Sequence, residues 1–109
     1  MTARKQQAQS ATAVGIEGEM TIYTAAEQYA GLRERLRNHK ELELDLSAVT
    51  ELDSAGVQVL MMLKKEMDHA GGQLHLVNHS RPVVDVFELL DLQSHFGDPV
   101  LIPAEWTES

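Results

Sequence analysis

Residues 41–78 change hydrophobic period twice, and this constrains the fold more than any other feature of the chain. In "ELELDLS" (41–47) Leu42, Leu44 and Leu46 recur at every second position, with Glu41, Glu43 and Asp45 between them. That alternation is the mark of a half-buried strand. The spacing then lengthens. In "SAGVQVLMMLKKEMDHA" (54–70) Val59, Leu60, Leu63 and Met67 fall on one side of a helix, with Gly56 beneath them, at about 100° per residue. Gly71-Gly72 ends that helix, because glycine readily takes the left-handed backbone of a helix terminus. "QLHLVN" (73–78) returns to a period of two, with Leu74 and Leu76 on one face and His75 and Val77 on the other. A strand, a helix and a second strand in close succession call for parallel pairing through a right-handed crossover.

The flanks extend the alternation. Val14 and Ile16 in "AVGIEGEM" (13–20) predict a short strand. Thr24 and Glu27 stand three apart, a capping-box spacing that starts a helix at Thr24 and runs it over 24–38, with Leu32 and Leu36 on one face. Residues 48–53 read as a loop. Over 80–92, Ser80 is the candidate N-cap, Pro82 fits the first turn, and Val83, Val86, Phe87 and Leu90 form the apolar stripe. Residues 98–103 suggest a last short strand closed by Pro103, and Trp106 is expected to fold back on the body. Residues 1–12 read as a tail or a weak edge strand. The expectation is one α/β domain over 13–109.

Charge and composition narrow the function. The chain has 109 residues, 17 acidic against 9 basic, and a net charge of −8. That balance disfavours nucleic acid and anionic membrane surfaces, which both need Lys and Arg patches, and favours a basic protein partner. There is no cysteine, so neither a disulfide framework nor a thiolate zinc site is available. "MTARKQQAQS" lacks the apolar stretch of a signal peptide, and no apolar run approaches membrane-helix length. A cytoplasmic protein is expected.

Chemistry concentrates at "ELDSAGVQVLMML" (51–63). Ser54 follows Asp53 at the mouth of the central helix, at the sheet end where ligands and partners of parallel α/β folds usually act. A nucleophile elbow needs Gly-x-Ser-x-Gly, and Leu52 stands where its first glycine belongs. A phosphate loop would need Gly-Lys-Ser/Thr, which does not follow. His75 and His79 are four apart but lie in and just beyond a strand, so they do not share a helix face, and all five histidines read as solvated. Asp53 or Ser54 can cap the helix. Phosphorylation of Ser54 is a further reading. Free N–H groups and the dipole at a helix start welcome negative charge, so a phosphate there would leave the fold intact and act outward. Ser54 lies about 160° around the helix from the core face. It shares a stripe with Val57, Gln58, Met61 and Lys65, and Met62 is on the far side. That stripe is either covered by a neighbouring helix or open as a docking face, a use to which Met side chains are suited.

The run "LELDLSAVTELDSAGVQVLMMLKKEMDHAGGQLHLVN", followed by "SRPVVDVFELLDL", resembles the STAS domain of bacterial anti-sigma factor antagonists, over roughly residues 13–103. The resemblance implies a mixed sheet of four or five strands with helices packed on one side. It implies a non-catalytic regulator that binds an anti-sigma factor serine kinase and so frees a sigma factor. The kinase would phosphorylate Ser54, with Asp53 as the acidic residue ahead of it, and a metal-dependent serine phosphatase would reverse the step. ATP would belong to the kinase, and the chain would carry no cofactor. Family members often show Gly-Glu-Leu-Asp after the early strand, with the Asp at the partner surface; here Gly18-Glu19-Met20-Thr21 places Thr21 in that position. Asp53, Ser54, Val57, Gln58, Met61, Lys65 and Thr21 are therefore the expected partner-binding residues. STAS domains also serve as fixed subunits docked on transport ATPases or in chemotaxis and other signalling complexes, and in that alternative Ser54 would not be a switch. A small enzyme is the remaining alternative, without an acid–base pair, metal set or phosphate loop to carry it.

Overall fold

The computed structural model of the chain describes residues 12–98 and residue 100. Three strands, β1 (Thr12–Met20), β2 (Glu41–Leu52) and β3 (Gln73–Val77), form one sheet in the order β1-β2-β3. Both pairings are parallel. The helices are α1 (Ala25–Leu36), α2 (Ser54–His69), α3 (Arg81–Leu90) and the short α4 (Leu92–Phe96). Leu42, Leu44, Leu46, Leu74, Leu76 and Ile16 are buried, while Glu41, Ser47, Ala13 and Glu17 on the other face are exposed. The helices thus cover one side of the sheet. The fold class is the α/β arrangement expected, with three parallel strands rather than four or five among the described residues. The expected strand at 98–103 and the tail at 1–12 lie almost wholly outside those residues, as does Trp106.

β2 is longer than its leucine repeat, and residues 48–52 are strand rather than loop. Its partner on β1 advances from Gly15 to Glu17 while β2 advances from Asp45 to Ala48, and from Gly18 to Glu19 while β2 goes from Val49 to Glu51. Each shift is a bulge that inserts one extra residue in β2 and moves the next inward position by one. The buried set is consequently Leu42, Leu44, Leu46, Val49 and Leu52, which no fixed period of two can match. These bulges let β2 reach the start of α2.

Helix ends follow local chemistry only in part. α2 stops as expected, with Gly71 at φ +80 and the Gly72 amide donating to the Met67 carbonyl at 2.8 Å. The capping box at α1 does not form. Thr24 makes no side-chain cap bond; its hydroxyl donates to the Glu19 carbonyl at 2.9 Å and accepts from the Thr21 amide at 3.0 Å. The turn out of β1 claims the hydroxyl that the helix start would have used. On α3, Val83, Val84 and Phe87 are buried, whereas Leu90 is 50% exposed. The stripe is rotated from its expected position because α4 packs behind α3 and supplies Leu92 and Phe96 to the core.

One histidine is not solvated. His79 is 5% exposed, with its ring edge-on to Phe87 at 5.3 Å between centroids. Its Nε2 has no hydrogen-bond partner among the described residues. Burial lowers its pKa below the ordinary histidine range, and the nearby Asp98 charge opposes that shift. A histidine held neutral by the fold but free to charge when unfolded stabilises the protein fully above pH ~6.5, and that contribution is lost as pH falls through the depressed folded pKa. The wild-type Tm is therefore expected to fall between pH ~7.5 and ~5.5. His79→Leu should flatten this limb, a comparison that thermal melts across the range will make.

Candidate functional site

The end of the sheet nearest Ser54 is organised by Asp53. The residue is extended, at φ −122 and ψ −172, and caps α2. Its Oδ1 accepts from the amides of Ala55 at 2.9 Å and Gly56 at 3.1 Å. Its Oδ2 accepts from the Ile22 amide at 3.0 Å, across 31 positions of sequence. The Asp53 amide donates to the Met20 carbonyl at 3.2 Å. The Ile22 amide first, with those of Gly56 and Ala55, holds the Asp53 carboxyl below the ordinary carboxylate range against the opposing effect of partial burial. Asp53 is thus the capping residue, and Ser54 opens the helix with its side chain exposed.

A carboxyl with a depressed folded pKa adds stability that is present above its unfolded pKa of ~3.9 and disappears as pH falls below it. Asp53→Ala is expected to lower Tm by roughly 5 °C at pH 7. The gap from wild type should close as both are melted at successively lower pH, down to about pH 2. A gap independent of pH would mean the carboxylate charge is not what the cap uses.

A groove of about 590 Å³ runs from Ser54 between α1 and α2, lined among others by Ile22, Tyr29, Val57, Gln58, Met61 and Met62. Gly56 brings the start of α2 against the sheet: a Cβ there would lie 2.1 Å from the Met20 carbonyl oxygen. The expected stripe is divided by this packing. Gln58 and Lys65 are exposed and Met61 is partly covered, but Val57 is only 5% exposed and belongs to the core. α1 is clamped to α2 farther along, where Arg33 Nε meets Glu66 Oε1 at 3.1 Å and the Tyr29 hydroxyl donates to Glu66. Lys65 does not line the groove.

Thr21 is 7% exposed. Its hydroxyl donates to Glu19 Oε1 at 3.0 Å and accepts from the Tyr23 amide at 3.3 Å, so it shapes the loop from within. The exposed residues of that loop are Ile22, at 70%, and Tyr23, at 90%. Neither was picked out from sequence. The signal was two large apolar residues inside the polar turn "Thr-Ile-Tyr-Thr", outside any periodic block, where core packing has no use for them.

The family model described as "Mlab, STAS domain" matches residues 3–103. The chain belongs to the STAS family. The solved structure of the anti-sigma factor antagonist SpoIIAA in its unphosphorylated form is similar to it, with a TM-score of 0.64 and 17% sequence identity over 88% of this chain and 83% of that one. At that identity the likeness is one of fold. Two further features of this STAS domain bear on chemistry. Among the described residues no group of three or more His, Cys, Asp or Glu side chains is placed to hold a metal ion. Nor is any helix among them long and apolar enough to cross a membrane. His75, the most polar-contacted histidine, instead places Nδ1 3.1 Å from Asp98 Oδ1, and Asp98 Oδ2 accepts the Leu76 amide at 2.9 Å. The Asp98 carboxylate thereby occupies a backbone donor of β3.

Proposed function

We propose that this STAS domain is a non-catalytic, cytoplasmic anti-sigma factor antagonist whose binding to a kinase-type anti-sigma factor is switched off by phosphorylation of Ser54. The observation that carries the reading is the exposed Ser54 hydroxyl on a capped helix start, at one end of an open groove and beside the exposed Ile22 and Tyr23. A kinase can engage such a hydroxyl without unfolding its surroundings. The kinase would transfer the γ-phosphoryl group of its own ATP to Ser54 Oγ, the hydroxyl proton passing to a base of the kinase and ADP leaving. A metal-dependent serine phosphatase would return the hydroxyl with water, releasing inorganic phosphate. About two negative charges and their hydration would then sit on the face a partner must bury. Ile22, Val57, Gln58 and Met61 line the groove of that face, with Asp53, Thr21 and Tyr23 in the segments that adjoin it and Lys65 farther along α2.

Wild type, Ser54→Ala and Ser54→Asp, used as baits in the native lysate and read by mass spectrometry, test the switch. A kinase-like regulator captured by the first two and reduced at least tenfold on the third is the expected result. Ser54→Asp should melt within a few degrees of wild type, since an acidic residue is tolerated in the first turn of a helix. Equal capture by all three would remove Ser54 as a switch. One observation favours the second reading, a fixed subunit of a transport ATPase or signalling complex. The loop beside Ser54 exposes Ile22 and Tyr23 rather than carboxylates, and permanent interfaces are the more hydrophobic class. That reading expects the same subunit on all three baits.

A further inference from the structure

The loop between β1 and α1 is held from two directions. Within it, the Thr21 carbonyl accepts from the amides of Thr24 at 2.9 Å and Ala25 at 2.7 Å, and the Thr21 hydroxyl accepts from the Tyr23 amide. The Ile22 amide turns the other way and donates to Asp53 Oδ2 at 3.0 Å. Asp53 is fully engaged in return. Its Oδ1 takes the Ala55 and Gly56 amides, its carbonyl takes the Val57 amide at 3.0 Å, and its own amide reaches the Met20 carbonyl. One residue thus joins the end of β1 and the apolar loop to the start of α2, with every one of its polar atoms engaged.

This changes what a phosphate on Ser54 would meet. A bare helix start offers free amides to an anion. Here those of Ala55, Gly56 and Val57 already have acceptors. A phosphate on the neighbouring side chain gains the Ala55 and Gly56 amides only by displacing the Asp53 carboxylate, and its charge repels that carboxylate in any case. Ile22 at 70% exposure and Tyr23 at 90% have little packing to keep them in place once the bond to Asp53 is gone.

We infer that Asp53 is a positioning residue that couples the charge on Ser54 to the pose of the Ile22–Tyr23 loop, so that phosphorylation releases the loop as well as charging the face. The inference rests on the reading of Ser54 as the phosphorylated residue. It gives the switch two effects from one modification: charge at the centre of the docking surface and loss of order at its apolar rim. Ordering a loop on binding costs affinity, so a released loop weakens docking even where the phosphate itself is not touched.

Amide hydrogen exchange by NMR on the free, full-length chain tests this, comparing wild type, Asp53→Asn and a chain with phosphoserine installed at position 54. Asparagine is a good N-cap and its oxygen can keep the Ala55 and Gly56 amides, but its NH2 group cannot accept from Ile22. The Ile22 amide is expected to exchange at least tenfold faster in Asp53→Asn and in the phosphorylated chain, with the amides of Leu60 and Leu63 unchanged as a check that the fold is intact. An Ile22 amide as protected in the phosphorylated chain as in wild type would overturn the coupling. Unchanged protection in Asp53→Asn would show that the carboxylate is not the tether. Neither result needs a partner. The coupling can therefore fail while capture by the Ser54 baits still shows a switch, and it can hold in a chain that captures no kinase.

Discussion

Gly56→Ala is expected to destabilise the domain by on the order of 3 kcal/mol or more, lowering Tm by roughly 10–20 °C. On helix propensity alone the change should help, since alanine is better than glycine in a helix by about 1 kcal/mol. Packing decides the sign. The added Cβ would sit 2.1 Å from the Met20 carbonyl oxygen, 2.7 Å from Leu52 Cδ1 and 2.9 Å from the Met20 carbonyl carbon. Two of those three atoms are backbone. They cannot swing aside as a side-chain tip can, so either α2 lifts from the sheet or the end of β1 moves. Met20 is fully buried, and its carbonyl also accepts the Asp53 amide, so both the core and the cap beside Ser54 would be disturbed. Gly31 in α1 is the control, because a Cβ there meets nothing within 4 Å. Gly31→Ala should raise stability by about 0.5–1 kcal/mol. Urea denaturation of the two variants beside wild type reads both signs, and a neutral Gly56→Ala would show that the close approach of α2 to β1 is not needed.

Phe87→Ala should cost about 3–5 kcal/mol. Phe87 is 2% exposed, and its ring stacks on Phe96 with 5.5 Å between centroids and 13° between planes. His79 also packs on it, in a T-shaped contact with 5.3 Å between centroids. Removing the ring leaves a cavity under the last helices and takes from Phe96 the contact that seats α4. Leu90→Ala is the contrast. A simple helical wheel places Leu90 in the same stripe as Phe87, yet it is 50% exposed, and its truncation should cost under about 1 kcal/mol. Chemical denaturation separates the two, and similar losses would return Leu90 to the core. Amide exchange over Leu92–Phe96 should rise in Phe87→Ala before the sheet is affected, since α4 packs chiefly on α3.

Much of the fold was legible because hydrophobic period is a local property. Leu42, Leu44 and Leu46 announced β2, and Val59, Leu60, Leu63 and Met67 announced the buried face of α2; all seven are in the core. Gly56 was legible for the same reason, as a small residue on the face that meets the sheet. Failures came where a second element competed for the same group. Thr24 carries the correct spacing for a capping box, but its hydroxyl is bonded into the Thr21 turn. Residues 48–52 look like a loop only because two bulges break the alternation, and a bulge is defined by the partner strand. His79 looked solvated because its cover, Phe87, comes from the following helix.

At the site, sequence alone determined that a capped helix starts at Asp53-Ser54 with the serine turned away from the core. Cap chemistry and helical angle both act within a few residues, so a short stretch of chain contains them. Tertiary structure decided what surrounds that serine. It buried Val57 in the core, placed Thr21 inside its loop, left Ile22 and Tyr23 exposed, and gave the Ile22 amide to a carboxylate 31 residues away. Those outcomes depend on how closely α2 lies against β1 and α1. No local pattern encodes that distance, because it is set by volumes and hydrogen bonds contributed from distant parts of the chain.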